Sequence, residues 1–393
     1  MALEASSEFT PEDFISSMPD NVITSILHRM PLQDAVRTAI LSRNWRFKWT
    51  MLTQLLFDDN FVSYVLETQG QNGFWKTISR LLLHLNGAIT KSVVILAVLD
   101  AEDIHHLILF LSRKGIKELT LTDWTKPHVK LPTHLFSCLE LKRLNISGCG
   151  ITPPPSFRGF PNLLSLSLHG VHFKGTDLGE FLTRCPLLET LDLLYISYTG
   201  NVKLVEIAKL ENLKILSLSL SLVETNISSC IVFELVGSLP KLQELGLDFL
   251  SCRLTEGGAQ KKFPIAFPSL KAFKVTRIDT GNGSMLSCAL EIIRHFPNLQ
   301  IFEIAHVSEH ISIPFPIPEV EVTMMELRRV VFALFKGSEN EVCLIKYFLA
   351  CSPSLKKIVV HRDWFLGSDE QLIFTKKLLK LHRASPVAEI DFE

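Results

Sequence analysis

The stretch Leu141-Lys142-Arg143-Leu144-Asn145-Ile146-Ser147-Gly148-Cys149-Gly150-Ile151 decides how most of the chain is read. Its apolar residues fall in an L-x-x-L-x-L frame that Cys149 and Ile151 continue, and the frame recurs on both sides. Upstream it fits Ile116, Leu119 and Leu121. Downstream it fits Leu163, Leu166 and Leu168, then Leu188, Leu191 and Leu193, then Leu213, Leu216 and Leu218, then Leu242, Leu245 and Leu247. Looser copies centre on Phe273, Phe302, Val330 and Ile358. The second apolar position of each block falls at 119, 144, 166, 191, 216, 245, 273, 302, 330 and 358, a period of 22 to 29 residues. Alternating apolar residues make a short strand with one buried face. A single unit cannot cover that face, so neighbours must stack.

Between the blocks, 177–184, 230–239, 286–296 and 341–351 carry helical periodicity. Each runs into a proline (Pro186, Pro240, Pro297 or Pro353) that stops the helix before the next strand. The period is that of leucine-rich repeats. The expected fold is α/β: a solenoid with a concave parallel sheet and convex helices and loops. Pro153-Pro154-Pro155, Gly257-Gly258 and Gly281-Asn282-Gly283 read as loops. Upstream, 74–85 and 101–113 read as helices around a strand at 92–99, with Gly115 as a cap, so the solenoid begins irregularly.

The 393 residues include 40 basic and 41 acidic side chains, for a formal charge of -1. No global field draws such a chain to nucleic acid or anionic lipid. Apolar residues make up 47%, too many for disorder. The longest clean apolar run, 93–99, is far short of the roughly 20 residues that span a bilayer. The N-terminus has neither a basic leader nor an apolar signal core, so residence in the cytoplasm or nucleus is expected. Eight cysteines without a CxxC pair or a compact Cys/His cluster read as reduced core thiols.

Residues 14–56 leave the repeat frame. Segments 19–29, 32–40 and 42–52 read as three short amphipathic helices, with Pro31 between the first two and Ser42 capping the third. Val22, Ile23, Ile26, Leu27 and Met30 form a stripe wider than about 40 residues can bury, which leaves part of it for a partner. The run Met18-Pro19-Asp20, Ile26-Leu27, Met30-Pro31-Leu32, Ala35-Val36-Arg37, Leu41-Ser42, Trp45 and Trp49 resembles the F-box. That resemblance implies a three-helix module docking on the Skp adaptor of a cullin ubiquitin ligase. The residues it implies are Met18, Pro19, Val22, Ile26, Leu27, Met30, Pro31, Leu32, Ala35, Val36, Leu41, Trp45 and Trp49. Met18 stands where the family usually has leucine and keeps an unbranched apolar side chain.

At the other end, Gly337-Ser338-Glu339-Asn340-Glu341, Ile345-Lys346-Tyr347, the 353–360 strand and Ala384-Ser385-Pro386 resemble the FBD region of plant F-box proteins. In its order of parts the chain is similar to the plant F-box/FBD/LRR-repeat family. The expected division is a flexible segment at 1–13, an F-box at 14–56, the repeat solenoid at 57–314, and an FBD region at 315–393 that continues the solenoid. The resemblance implies a non-catalytic adaptor that presents an unknown substrate protein to the ligase. The alternative is a repeat scaffold that binds protein without ligase coupling.

Catalytic chemistry finds little support. His306, Glu309 and His310 match an inverted zincin string, but they lie in a strand-to-loop passage toward Pro314, where two histidines would not share a helix face with a third ligand. No phosphate-cradling loop or nucleophile elbow occurs. His105-His106 reads as the solvated face of a helix, and Cys149 occupies an inward repeat position. No metal or cofactor is expected. Residues flanking the inward leucines would face the concave surface, and Arg143, Asn145, Ser167, His169, Asp192, Ser217, Glu244, Asp248, Lys274 and Glu303 carry its polar chemistry. The set is small, polar and nearly neutral, without the dense basic cluster that holds inositol phosphate in some plant F-box/LRR receptors. It favours a protein read by shape and hydrogen bonds.

Overall fold

Proline opens each of the first two helices. Pro19 precedes α1 (Asp20–Leu27), and its carbonyl accepts from the Val22 and Ile23 amides at 3.0 and 3.1 Å. Pro31 does the same for α2 (Leu32–Arg37), at 3.0 Å from both Asp34 and Ala35. Asp20 and Asp34 lie in the first turns, where the helix dipole favours them. The third expected helix does not form as an α-helix. In its place the chain makes a 3-10 turn at Trp45–Met51, and the end of the second expected helix, 32–40, tightens to a 3-10 turn at Thr38–Ile40. Threonine hydroxyls supply the reason: Thr38 Oγ1 donates to the Ala35 carbonyl and Thr50 Oγ1 to the Phe47 carbonyl, both at 2.7 Å and three residues back. This competes with the looser α-helical ladder.

The computed structural model describes residues 18–125, 128–175, 177–196, 202, 204–222, 226–227, 229–250, 253–254, 266–278, 283–306, 323–335, 338–362, 378 and 381–393. The chain divides into two units, Met1–Cys149 and Gly150–Glu393. In the first, β1 (Gln54–Phe57), β2 (Lys91–Ile95), β3 (Glu118–Thr122) and β4 (Arg143–Ser147) pair in parallel in that order. The sheet thus starts at Gln54 and straddles the boundary expected at 56. The helix α3 (Asp59–His84) is longer than the 74–85 expected. Asp58 starts it by accepting from the Phe61 amide at 3.0 Å, and Gly70, with φ of +67°, breaks it into two halves. Asp100 caps α4 (Ala101–Arg113) by accepting from the Glu102 and Asp103 amides, and Gly115 at φ +72° turns the chain out of it.

The second unit repeats one plan. Its strands are β5 (Gly150–Ile151), β6 (Ser165–His169), β7 (His172–Phe173), β8 (Thr190–Leu194), β9 (Ile215–Ser219), β10 (Asn226–Ile227), β11 (Glu244–Asp248), β12 (Arg253–Leu254), β13 (Ala272–Ile278), β14 (Ile301–His306), β15 (Arg329–Phe335), β16 (Lys357–Arg362) and β17 (Glu389–Phe392). The nine longer ones form a parallel sheet in chain order, and the two-residue strands pair as β5 with β7 and β10 with β12. Registers match the repeat frame: Leu166 pairs with Leu191, Leu191 with Leu216, and Leu245 with Phe273. Each of these side chains is buried. Helices α5 (Leu178–Thr183), α6 (Leu204–Ala208), α7 (Ser229–Gly237), α8 (Gly283–Arg294) and α9 (Glu339–Cys351) fall in the connections. Asp177 caps α5, and Ser338 with Glu341 forms a reciprocal capping box on α9. Asparagine side chains tie one repeat to the one before: Asn212 donates to the Pro186 carbonyl and Asn298 to the Pro268 carbonyl.

At Gly148, φ is +69° and a Cβ would sit 1.6 Å from the Asp123 carbonyl oxygen, so only glycine fits. Gly148→Ala should lower unfolding stability by more than about 1 kcal/mol. Gly87→Ala, where a Cβ meets nothing within 4 Å, should change it little or raise it slightly, as read by urea denaturation of both variants.

Candidate functional site

The N-terminal module turns some of its apolar side chains inward and others outward. Ile23, Leu27, Leu32, Ala35, Trp45 and Trp49 are buried. Outside remain Val22 and Ile26 on α1 together with Ile40 (87% exposed), Leu41 (58%), Phe47 (64%) and Met51. These residues sit on segments that pack on one another, because both 3-10 turns meet and α1 lies on the second. Lys48 Nζ to Asp20 Oδ1, at 2.5 Å, and the Thr53 amide donating to His28 Nε2, at 3.2 Å, hold the ends of the module together.

This placement divides the residues expected to meet a partner. Pro19, Val22, Ile26, Pro31 and Leu41 are exposed, and Met18, Met30 and Val36 are partly so. Leu27, Leu32, Ala35 and Trp45, expected to meet a partner, are buried in this chain's own core, and Trp49, 8% exposed, lies against α3. Ile40, Phe47 and Met51 escaped the sequence reading. A signal existed, since Trp45, Phe47, Trp49 and Met51 stand two apart and cannot all share one face of a helical turn.

On the sheet face, strand registers bring the expected polar residues together. Asp192 lies between Ser167 and Ser217, and Lys274 lies beside Glu303 with Nζ to Oε1 at 2.6 Å. Arg143 and Asn145 are exposed on β4, where Arg143 approaches Glu118 at 3.7 Å, and Glu244 is exposed on β11. His169 Nε2 meets Asp192 Oδ2 at 2.7 Å. This hydrogen bond raises the His169 pKa above its ordinary value; burial opposes the shift and the carboxylate charge adds to it.

Asp248 departs from expectation. It is 1% exposed and spent on Arg277, whose Nε donates to Oδ1 at 2.8 Å and whose Nη2 donates to Oδ2. The cause is a bulge between Thr276 and Ile278 that puts Arg277 at φ +53° and folds its side chain back over β11 and onto the Tyr195 ring, 3.7 Å away. Asp248 therefore holds strands together instead of meeting a partner.

Little here suits bond-making chemistry. Burial pushes the Cys138 and Cys149 thiols up to about 12 and Cys185 to about 11, which keeps them protonated. His105 and His106 are exposed on α4 as expected. His306 ends β14, whereas Glu309 and His310 lie outside the described residues. Among the described residues no group of three or more His, Cys, Asp or Glu is placed to hold a metal, and no helix is long and apolar enough to cross a membrane.

An F-box domain model matches residues 15–55, and a model of the LRR repeats of FBD-associated F-box protein At5g56370 matches 104–252. The F-box/FBD/LRR-repeat protein At1g13570 of Arabidopsis thaliana is 30% identical over 97% of this chain and 98% of its own length. The chain belongs to the F-box/FBD/LRR-repeat family. Another Arabidopsis member, FBD-associated F-box protein At5g38590, is 23% identical over 89% of this chain and 94% of its own length. The first of these relatives matches nearly the whole chain, and the exposed ledge falls within the F-box match.

His169 should titrate above its unfolded value of about 6.5, and Asp192→Asn should bring it down, read by its imidazole NMR signal. The stabilisation that the pair provides is complete below that unfolded value and is lost as pH rises through the raised folded one. A thiol reagent applied to the native chain at pH 8 should leave Cys138, Cys149 and Cys185 unlabelled, and all three should react once it is unfolded; peptide mass analysis reads both.

Proposed function

We propose that this F-box protein is the substrate-recognition subunit of a Skp-cullin-F-box ubiquitin ligase. The observation that carries the reading is the ledge of Val22, Ile26, Ile40, Leu41, Phe47 and Met51, apolar side chains left in water on the F-box. A surface of that kind is costly to expose and marks a place for another polypeptide. The Skp adaptor covers it in an interface of roughly 1,600 Å² in total. The repeat and FBD region then holds a target protein through the sheet face, with His169, Asp192, Ser217, Glu244 and Lys274 among its contacts. Any gain in ubiquitin transfer comes from proximity, because this chain contributes no nucleophile or acid to the reaction. The work takes place in the cytoplasm or nucleus.

A scaffold that binds targets without ligase coupling would leave the ledge idle. Ile26→Asp and Phe47→Asp, both at exposed positions, should each cut co-purification with a Skp adaptor by more than about tenfold while the melting temperature stays unchanged. Full retention of the adaptor by both variants would contradict the assignment.

A further inference from the structure

A cleft of about 310 Å³ opens in the first unit between the Trp45–Met51 turn and the two halves of α3. Gly70 makes it: its positive φ lets the chain double back, so that residues from before and after the break line one depression. The floor is apolar, with Trp49 and Val65 buried and Leu81 half-buried. Gln69, Arg80 and His84 stand at the margin, all exposed.

The charge in this cleft has one sign. Its lining residues include no carboxylate, and Arg80 forms no ion pair among the described residues. His84 donates from Nδ1 to the Arg80 carbonyl at 2.7 Å, which orients the ring and leaves Nε2 for something else. Tyr64, also in the wall, accepts a hydrogen bond from Arg37 at 3.3 Å, and that guanidinium lies 4.9 Å from its ring centre. Arg37 is answered by Asp34, at 3.4 Å; Arg80 is not. An apolar floor under an unanswered guanidinium is the chemistry of a carboxylate carried on an apolar chain.

We infer that the cleft binds an acidic peptide segment of a partner protein, an apolar side chain resting against the half-buried Tyr64 and Leu81, over a floor closed by Trp49 and Val65, and a neighbouring carboxylate paired with Arg80. The site is separate from the ledge and does not depend on the adaptor reading, since its lining includes none of the ledge residues.

The probe is a fluorescein-labelled hexapeptide of alternating glutamate and leucine, titrated into the full chain and followed by anisotropy. The glutamate peptide should saturate the protein, and its glutamine-for-glutamate counterpart should bind at least about tenfold more weakly. Arg80→Gln and Arg80→Glu should each weaken the glutamate peptide by about tenfold or more with unchanged melting temperature. Arg113→Glu, at an exposed arginine on α4, should retain it. Equal binding of the two peptides, equal loss in Arg113→Glu, or displacement by inorganic phosphate as effective as by unlabelled peptide would each overturn the proposal. The last two would indicate attraction to net charge or to any anion.

Discussion

A strand that buries every second side chain on one face, in a unit of 22 to 29 residues, cannot be stable alone. Leu191 and Leu193 pair in register with Leu166 and Leu168 on one side and with Leu216 and Leu218 on the other, and all six are buried. Everything else in the repeats serves this stacking. Caps such as Asp177 and Ser338 start helices where a strand has just ended, and Asn212 and Asn298 fix the spacing from one repeat to the next. The cooperative unit in such an array is the neighbour contact, so stability accrues interface by interface.

The F-box works under the opposite condition. Its buried set, Ile23, Leu27, Leu32, Ala35, Trp45 and Trp49, is only large enough to hold two short helices and two tight turns together, and further apolar side chains have no interior to enter. Those left outside form the surface that we propose the adaptor covers. The turns matter to this outcome, because 3-10 geometry carries Phe47 and Met51 to the far side from Trp45 and Trp49.

How much of this could be read beforehand depended on periodicity. The repeat strands were legible because leucine alternation has a single structural meaning at that spacing, and the helices that end at Pro186, Pro240, Pro297 and Pro353 were legible because proline stops them. The first half of α3 was not, since Gly70 interrupts the pattern and Asp58, its cap, follows an unrecognised strand. The ledge was half legible: the stripe on α1 identified Val22 and Ile26, but hydroxyl-to-carbonyl bonds at Thr38 and Thr50 set the geometry that exposes Ile40 and Phe47, and such bonds leave no periodic trace. Asp248 failed for a related reason. Strand alternation assigns faces correctly only until a bulge intervenes, and the bulge at Arg277 captured it.

The ion pairs across the second sheet have a kinetic consequence. Lys274 with Glu303 and Lys357 with Asp391 each join neighbouring strands and cancel one another's fields locally, and a hydrogen bond joins His169 to Asp192. On the proposed reading these pairs exert little long-range pull on an approaching target, so they add little to its encounter rate or to its dependence on ionic strength. If targets bind here as proposed, discrimination between them rests on how long each stays, a property of close fit and of hydrogen bonds rearranged at short range.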